Sequence, residues 1–458
     1  MDDPQIRLEM RAEKEISMRS WLMGTAVGTA LGLTAIGVTS IAWSANGTSS
    51  DREEIYQQLD LFAEILARVD SEYVIDVDET DAMKSAINGM LASLDPHSSY
   101  LAADDYEAMQ VQTSGEYGGL GIEVVSDDGY VKIISPIDDS PASRADLRAG
   151  DLISAINGVS IVGLPLNDAI KDMRGEVGTD IVITVIRAEA EEPFDVTLTR
   201  EIIRPKSVDH EVIEEDIGYV RLSTFNERTT ELLNESLSAL KKEIGNKPAG
   251  LILDLRNNPG GLLDQAVSVS SMFLDSGEVV STRGRDPRDI ERYNADRGER
   301  FPEVPIIVLV NGGSASAAEI VAGALQDKNR AKVLGMTSFG KGSVQTVIPL
   351  SAQRGALRLT TARYYTPSGR SIQSTGIEPD YEVSQRVITE EDLEAMRRFS
   401  EADLPNALDN DSGAERREVH MPDDMPPEDY EGDDYQLDRA VERLRSITLT
   451  SLEEPNAG

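Results

Sequence analysis

Two short segments of this chain carry side chains that could break an acyl bond. Residues 310–320 read Val-Asn-Gly-Gly-Ser-Ala-Ser-Ala-Ala-Glu-Ile and hold Ser314 and Ser316, and residues 338–345 read Ser-Phe-Gly-Lys-Gly-Ser-Val-Gln and hold Lys341. A hydroxyl needs a base before it can attack a carbonyl, and the usual base is histidine. The chain has three histidines, His97, His210 and His420, and none stands in a setting that suggests a serine partner. A lysine can replace histidine where burial disfavours its charged form and leaves the amine neutral near pH 7. Lys341 lies in a Gly-rich loop 25 positions after Ser316.

Two other readings compete for these residues. Gly335 to Lys341 fits the first seven positions of a phosphate-binding P-loop, but such a loop continues with a Ser or Thr hydroxyl for Mg²⁺ and opens a helix. Here Gly342 follows, and Ser343 to Val347 reads as a strand. Ser316 could also serve only as a helix N-cap, a position that favours serine. Capping and catalysis are compatible, because a helix N-terminus leaves free N–H groups beside the nucleophile.

The two segments resemble the nucleophile and base motifs of the bacterial carboxyl-terminal processing (tail-specific) proteases. The resemblance implies that the second serine of Ser-Ala-Ser, Ser316, is the nucleophile. It also implies that Lys341 is the base and that Gln345, four residues on, orients it. Asp254-Leu255-Arg256-Asn257-Asn258-Pro259-Gly260-Gly261 looks like a turn of the same family, whose glycines let backbone N–H groups face a reacting carbonyl oxygen. The expected oxyanion donors are Gly260, Gly261 and Ala317. Asp327, eleven residues after Ser316, matches an acidic position of some relatives and is read as a structural helix end.

The expected function is that of an extracytoplasmic serine endopeptidase. The alternative from another class is a non-catalytic scaffold that binds protein C-termini, which would be expected to lose the serine, lysine or glutamine.

Composition bounds the rest. The 458 residues suit about three domains, and a net charge of −38 argues against nucleic-acid binding, which wants a basic surface. The absence of cysteine excludes thiol catalysis, disulfides and cysteine-ligated zinc; no cofactor and no metal are expected. Residues 22–42 carry no charge and are bracketed by Trp21 and Trp43, the length and interfacial pattern of a bilayer span. Arg7, Arg11, Lys14 and Arg19 precede the span, which places the N-terminus (1–20) inside and the bulk outside. Residues 21–43 are therefore an anchor to the inner membrane, with a cleaved signal peptide ending near Ala42-Trp43-Ser44 as the alternative. The working compartment is the bacterial envelope.

Within the remainder, 51–110 reads as helices, with Ile55, Leu59, Phe62, Ile65, Leu66 and Val69 at helical spacing. Asp95-Pro96-His97-Ser98 closes the second helix, and His97 is read as a solvated or hydrogen-bonded turn histidine. The stretch is typical of the resembled family, which implies a helical region that supports a homodimer or higher homo-oligomer, and an adaptor protein is a further expected partner. Residues 111–190 turn to short strands around Gly119-Leu120-Gly121-Ile122 and resemble a PDZ domain of the circularly permuted bacterial type. Successive N–H groups of that turn can bind a terminal carboxylate, and the next strand edge can pair with a peptide. The resemblance gives Arg174 a regulatory part, linking a peptide-bound PDZ domain to the catalytic site.

From 195 to 385 strands and helices alternate, which means an α/β arrangement with helices packed on sheet. In a multidomain α+β chain, this core resembles the β-α-spiral of crotonase and the caseinolytic-type proteases. Residues 386–458 form an acidic tail, in which 401–440 hold 14 Asp and Glu against 3 Arg and read as solvated. An amphipathic helix from Tyr435 to Ile447 follows, expected to pack on the N-terminal helices or a second subunit.

Overall fold

The computed structural model describes residues 49–453 apart from 138, 246–247, 287, 352–353 and 415–418, so the expected membrane segment at 21–43 lies outside the described residues. Two units are distinguished, residues 1–83 and 84–458. The first contains the helix Ser49–Glu72, whose apolar positions Ile55, Leu59, Ile65 and Val69 recur at helical spacing and stand exposed. The second contains everything that carries chemistry.

Its central layer is a six-stranded sheet in the order Val208–Ile213, Ile217–Leu222, Gly250–Asp254, Ile306–Val310, Lys332–Gly335 and Tyr381–Glu382. The first pair is antiparallel and the others parallel. Every residue of Gly250–Asp254 and Ile306–Val310 is buried, the pattern of parallel strands covered on both faces.

Alternate side chains explain the two layers. Leu251, Leu253, Ile306, Val308 and Val310 face Leu233, Leu237 and Leu240 of the helix Thr229–Ile244 and the helix Ala317–Asp327. Ile252, Ile307, Leu309 and Leu334 face Ala440, Val441 and Leu444 of the C-terminal helix Tyr435–Glu453. That helix was expected on the N-terminal helices or a second subunit; instead it covers the open face of the core sheet. Amphipathicity dictates that one side of a helix be buried, and here the uncovered sheet supplies the apolar partner.

A five-stranded antiparallel sheet flanks the core. Ala356–Tyr365 pairs with Ser99–Leu101, Ser343–Pro349 and Glu278–Arg283, and Ile290–Asn294 lies beyond the last. Ser343–Pro349 is thus a strand directly after Lys341, as the sequence predicted, and the P-loop reading fails there.

The strand-rich region folds as a separate antiparallel sheet that runs on past 190 to the strand Phe194–Thr199. Its own core gathers Ile133, Ile153, Ile181, Ile183 and Val185. A two-stranded ladder, Tyr117–Gly119 with Glu201–Ile203, closes its base where the chain enters and leaves.

Candidate active site

Ser316 stands at the N-terminus of the helix Ala317–Asp327, next to the end of the buried strand Ile306–Val310. Its φ of 55° and ψ of −115° are a strained conformation for a residue with a side chain. The strain is held by neighbours on both sides. Ser314, fully buried, donates its hydroxyl to the Leu255 carbonyl at 2.7 Å and accepts the Asn311 N–H at 3.0 Å. Ala315 N–H donates to the Asn258 carbonyl at 2.9 Å. Ser314 is therefore committed to structure, whereas the hydroxyl of Ser316 faces that of Tyr364, which descends from the flanking sheet, and the Glu319 N–H of its own helix in a capping box.

The same contacts stitch the Asn257–Gly261 turn against Ser316. A Cβ on Gly260 would fall 2.8 Å from the Ser316 Cβ and 2.9 Å from the Ala317 nitrogen, so only glycine fits. The Gly260 N–H, expected as an oxyanion donor, donates instead to the Asn258 Oδ1 at 2.9 Å. The N–H groups of Gly261 and Ala317 have no acceptor among the described residues.

Lys341 reaches the same place through Glu319, a residue to which the sequence assigns no role. Glu319 lies one turn into the Ser316 helix and is completely buried. Its Oε2 accepts the N–H of Ser316 at 2.8 Å and the N–H of Lys341 at 3.0 Å. Its Oε1 accepts the Ser338 hydroxyl at 2.6 Å and the Gly340 N–H at 2.7 Å. One carboxylate oxygen thus ties the backbone of the two expected catalytic residues, two hydrogen-bond lengths apart. Burial pushes the Glu319 carboxyl up to about 7, against the pull of four donors that all favour its charged form. Its only legible signal was an acidic side chain three residues after a serine at a helix start, the form of a capping box.

The lysine amine is itself depressed below its ordinary value by burial. The charges of Glu401, Glu319 and Asp95 partly oppose this, and that of Arg358 adds to it. Gln345 does not reach the lysine within hydrogen-bond distance among the described residues. Its Nε2 donates to Ser343 Oγ at 3.0 Å and to Thr360 Oγ1 at 3.3 Å. Thr360 in turn donates to Asp95 at 2.9 Å, in the turn where Asp95 also accepts the N–H groups of His97 and Ser98.

His97 is the hydrogen-bonded kind of turn histidine: its Nε2 lies 2.9 Å from both oxygens of Glu401. Asp327 sits at the opposite end of the helix from Ser316 and accepts the Ser368 N–H, in keeping with a structural role. His420 pairs with Glu382 at 3.0 Å, with Asp423 beside them. A cavity of about 320 Å³ lies between Asn311–Gly313, Met336–Phe339 and Phe399, and neither Ser316 nor Lys341 lines it.

In the separate antiparallel sheet, Gly119 to Ile122 line a groove of about 280 Å³ with Ile170, Met173 and Arg174. The strand Ile122–Asp127 is the edge of its sheet and lies beside the helix Leu166–Met173, so an extended peptide can add as a further strand. Gly121 has a φ of 75°, and a Cβ there would strike Ser140 at 2.2 Å. Arg174 caps the end of the helix, with its guanidinium 4.4 Å from the centre of the Tyr117 ring in the basal ladder.

The pattern of "Peptidase family S41" matches residues 216–383, and that of "PDZ domain" matches 118–198. A "Carboxy-terminal-processing protease" of Bartonella bacilliformis is 52% identical over 339 residues, covering 74% of this chain and 78% of that protein. The chain belongs to peptidase family S41. A "Probable CtpA-like serine protease" of Staphylococcus aureus is 34% identical over 380 residues, covering 81% of this chain and 74% of that one. Among solved structures, the "Photosystem II D1 C-terminal processing protease" is 32% identical and covers 76% of this chain and 98% of that one, with a TM-score of 0.42. The chain is thus a serine protease of the carboxy-terminal-processing kind that carries a PDZ domain.

Proposed function

We propose that this S41 peptidase works outside the cytoplasm as an endopeptidase that selects substrates by their C-termini and cleaves them with a Ser316–Lys341 dyad. The observation that carries the dyad is the single Glu319 oxygen that accepts the N–H groups of both residues, beside an amine depressed by burial. Ser316 attacks the peptide carbonyl while the neutral Lys341 takes its proton, then delivers that proton to the leaving amine. The free N–H groups of Gly261 and Ala317 receive the oxyanion. Gly260 serves by close approach, and its own N–H joins only if it leaves Asn258. With the Gln345 Nε2 spent on two hydroxyls, its Oε1 is left to receive a lysine hydrogen.

A substrate tail adds to the strand edge at Ile122–Asp127, its carboxylate toward Gly119, Leu120, Gly121 and Ile122. Arg174, touching both groove and basal ladder, suits a part in reporting occupancy. The uncharged stretch 22–42 supports anchoring to the inner membrane. The exposed apolar positions of Ser49–Glu72 support self-association as a homodimer or larger homo-oligomer.

Replacing Ser316 or Lys341 by Ala tests the dyad. Each should lower peptide hydrolysis by several powers of ten while peptide binding by the PDZ domain persists. Substantial hydrolysis by Lys341→Ala would overturn the assignment of the base.

A further inference from the structure

Glu401 lies in the acidic stretch expected to be solvated, in the single turn Glu401–Asp403, yet only 1% of it is exposed. A carboxylate so placed is costly unless donors face it. His97 Nε2 stands 2.9 Å from both oxygens, and Gln373 Nε2 donates to Oε1 at 3.2 Å. The contacts then lead to the lysine loop from two sides. The Glu401 N–H donates to the Phe339 carbonyl at 3.0 Å, two residues before Lys341. Gln373, fully buried, accepts the Gly342 N–H at 2.9 Å, one residue after it.

The charged groups that bear on the Lys341 amine are Glu401, Arg358, Glu319 and Asp95, with His97 set against Glu401 itself. Two of the carboxylates are heavily engaged already. Glu319 receives four donors, and Asp95 receives two N–H groups and two hydroxyls from Ser98 and Thr360. Arg358, which opposes them, is itself tied to the His97 carbonyl at 3.1 Å.

We propose that Glu401 is the fixed counter-charge of the Lys341 amine, a positioning residue that His97 and Gln373 hold in the wall of the active site. A desolvated amine without any facing charge would be too weak a base and would tend to turn toward water. A carboxylate held at a set place keeps the amine in the pocket and tempers the desolvation. The Asp95–Ser98 turn then has a double task. Asp95 braces Gln345 through Thr360, and His97 braces Glu401, so one turn sets both partners of the lysine. The inference rests on Lys341 being the base.

The test reads the amine directly. In full-length Ser316→Ala protein, the rate at which an amine-selective acylating reagent modifies Lys341 is followed against pH by peptide mapping. Glu401→Gln keeps the size and hydrogen-bonding capacity but removes the charge. It should move the midpoint of Lys341 labelling to lower pH by about one unit, a tenfold change in neutral amine at a given acid pH. Glu401→Asp, which keeps the charge, should stay near the parent midpoint, and His97→Ala should shift it in the same direction as Glu401→Gln by less. In the otherwise native enzyme, kcat/KM of Glu401→Gln should change with KM for the substrate tail nearly constant. An unmoved midpoint in Glu401→Gln, or equal shifts in the Gln and Asp variants, would overturn the counter-charge. If Lys341 titrates like a free lysine in the parent protein, or if Lys341→Ala still hydrolyses peptides, the failure lies in the dyad reading instead.

Discussion

The proposed catalytic centre and the PDZ groove of this peptidase are built on opposite plans. Around Ser316 and Lys341, buried polar side chains set the backbone: Glu319, Asn258, Gln373 and Ser314 each spend their oxygens or nitrogens on main-chain groups. Around Gly119–Ile122 the floor is apolar and the working surface is an unpaired strand edge. The first plan fixes atoms for chemistry, since geometry a fraction of an ångström out is expensive in rate. The second leaves main-chain groups open to any chain with a free end, with side-chain preference added by the groove. If this contrast holds, substitutions in the first region should act on turnover and those in the second on recognition.

The largest effect is expected at Gly260. An alanine there would drive its Cβ to within 2.9 Å of Ser316 and Ala317, atoms of backbone and of the proposed nucleophile that have no room to yield. Hydrolysis by Gly260→Ala should fall by several powers of ten, while the affinity of the PDZ groove for a tail peptide stays at the native value. Retained turnover would mean that the turn adjusts freely, and the rigid half of the comparison would break.

Glu319 comes next and gives a pH signature. Its carboxyl, about 7 in the folded chain against an ordinary 4.5, holds an extra proton in the folded state over that interval. Its contribution to stability is therefore fully present below about 4.5 and falls away as pH rises through about 7. Activity runs the other way, because only the carboxylate accepts all four donors and only the neutral lysine takes a proton. Between pH 5 and 8, kcat should climb while native stability falls relative to Glu319→Gln. The Gln variant, which cannot accept every one of those donors, should lose hydrolysis by a hundredfold or more at every pH. Parallel stability curves for the two proteins would show that Glu319 does not titrate in this range.

This contrast also explains what the sequence disclosed. Ser316, Lys341 and Gln345 stood out as candidates because they sit in short glycine-rich segments whose spacing resembles the family's nucleophile and base motifs. The α/β core was legible because Leu251 to Leu253 and Ile306 to Val310 are unbroken apolar runs. Glu319 was not, although it lies three residues from Ser316: an acid in the first turn of a helix is usually solvated, and nothing local says that Ser338 and Gly340 fold onto it. Tyr364, Gln373 and Glu401 reach the site from distant positions on the flanking sheet, the segment after it and the tail, and pairing across such separations leaves no periodic trace. The C-terminal helix shows the same limit, since its apolar face announced burial without naming the sheet that covers it.

On the recognition side a smaller, differently shaped effect is expected. Ile170 faces the groove from the helix Leu166–Met173. Ile170→Asp would set a carboxylate where an apolar tail and its terminal charge should lie. KM for a substrate with a free apolar C-terminus should rise about tenfold or more, with kcat on a short peptide lacking such a tail unchanged. Steady-state kinetics on the two substrates would check it, and a fall in kcat on the short peptide would mean that the two regions are not separable.

Arg174 is where the two plans meet, and its effect should be the smallest. Its guanidinium lies over Tyr117, whose strand pairs with Glu201–Ile203 in the basal ladder. Arg200, next to the ladder strand Glu201–Ile203, clamps the carbonyls of Asp172 and Met173 at 3.1 and 3.0 Å. A tail entering the groove therefore touches a side chain that rests on the connection to the core. A ligand can shift an arrangement only by its differential affinity for the two states, and one cation–aromatic contact carries about 1 kcal/mol. Arg174→Ala should accordingly reduce the rate advantage of a free-ended substrate over an end-blocked one by no more than about fivefold, leaving the blocked substrate's rate as it was. An unchanged ratio would assign the coupling to the ladder and Arg200 alone, and Arg200→Ala would then be the variant that collapses it.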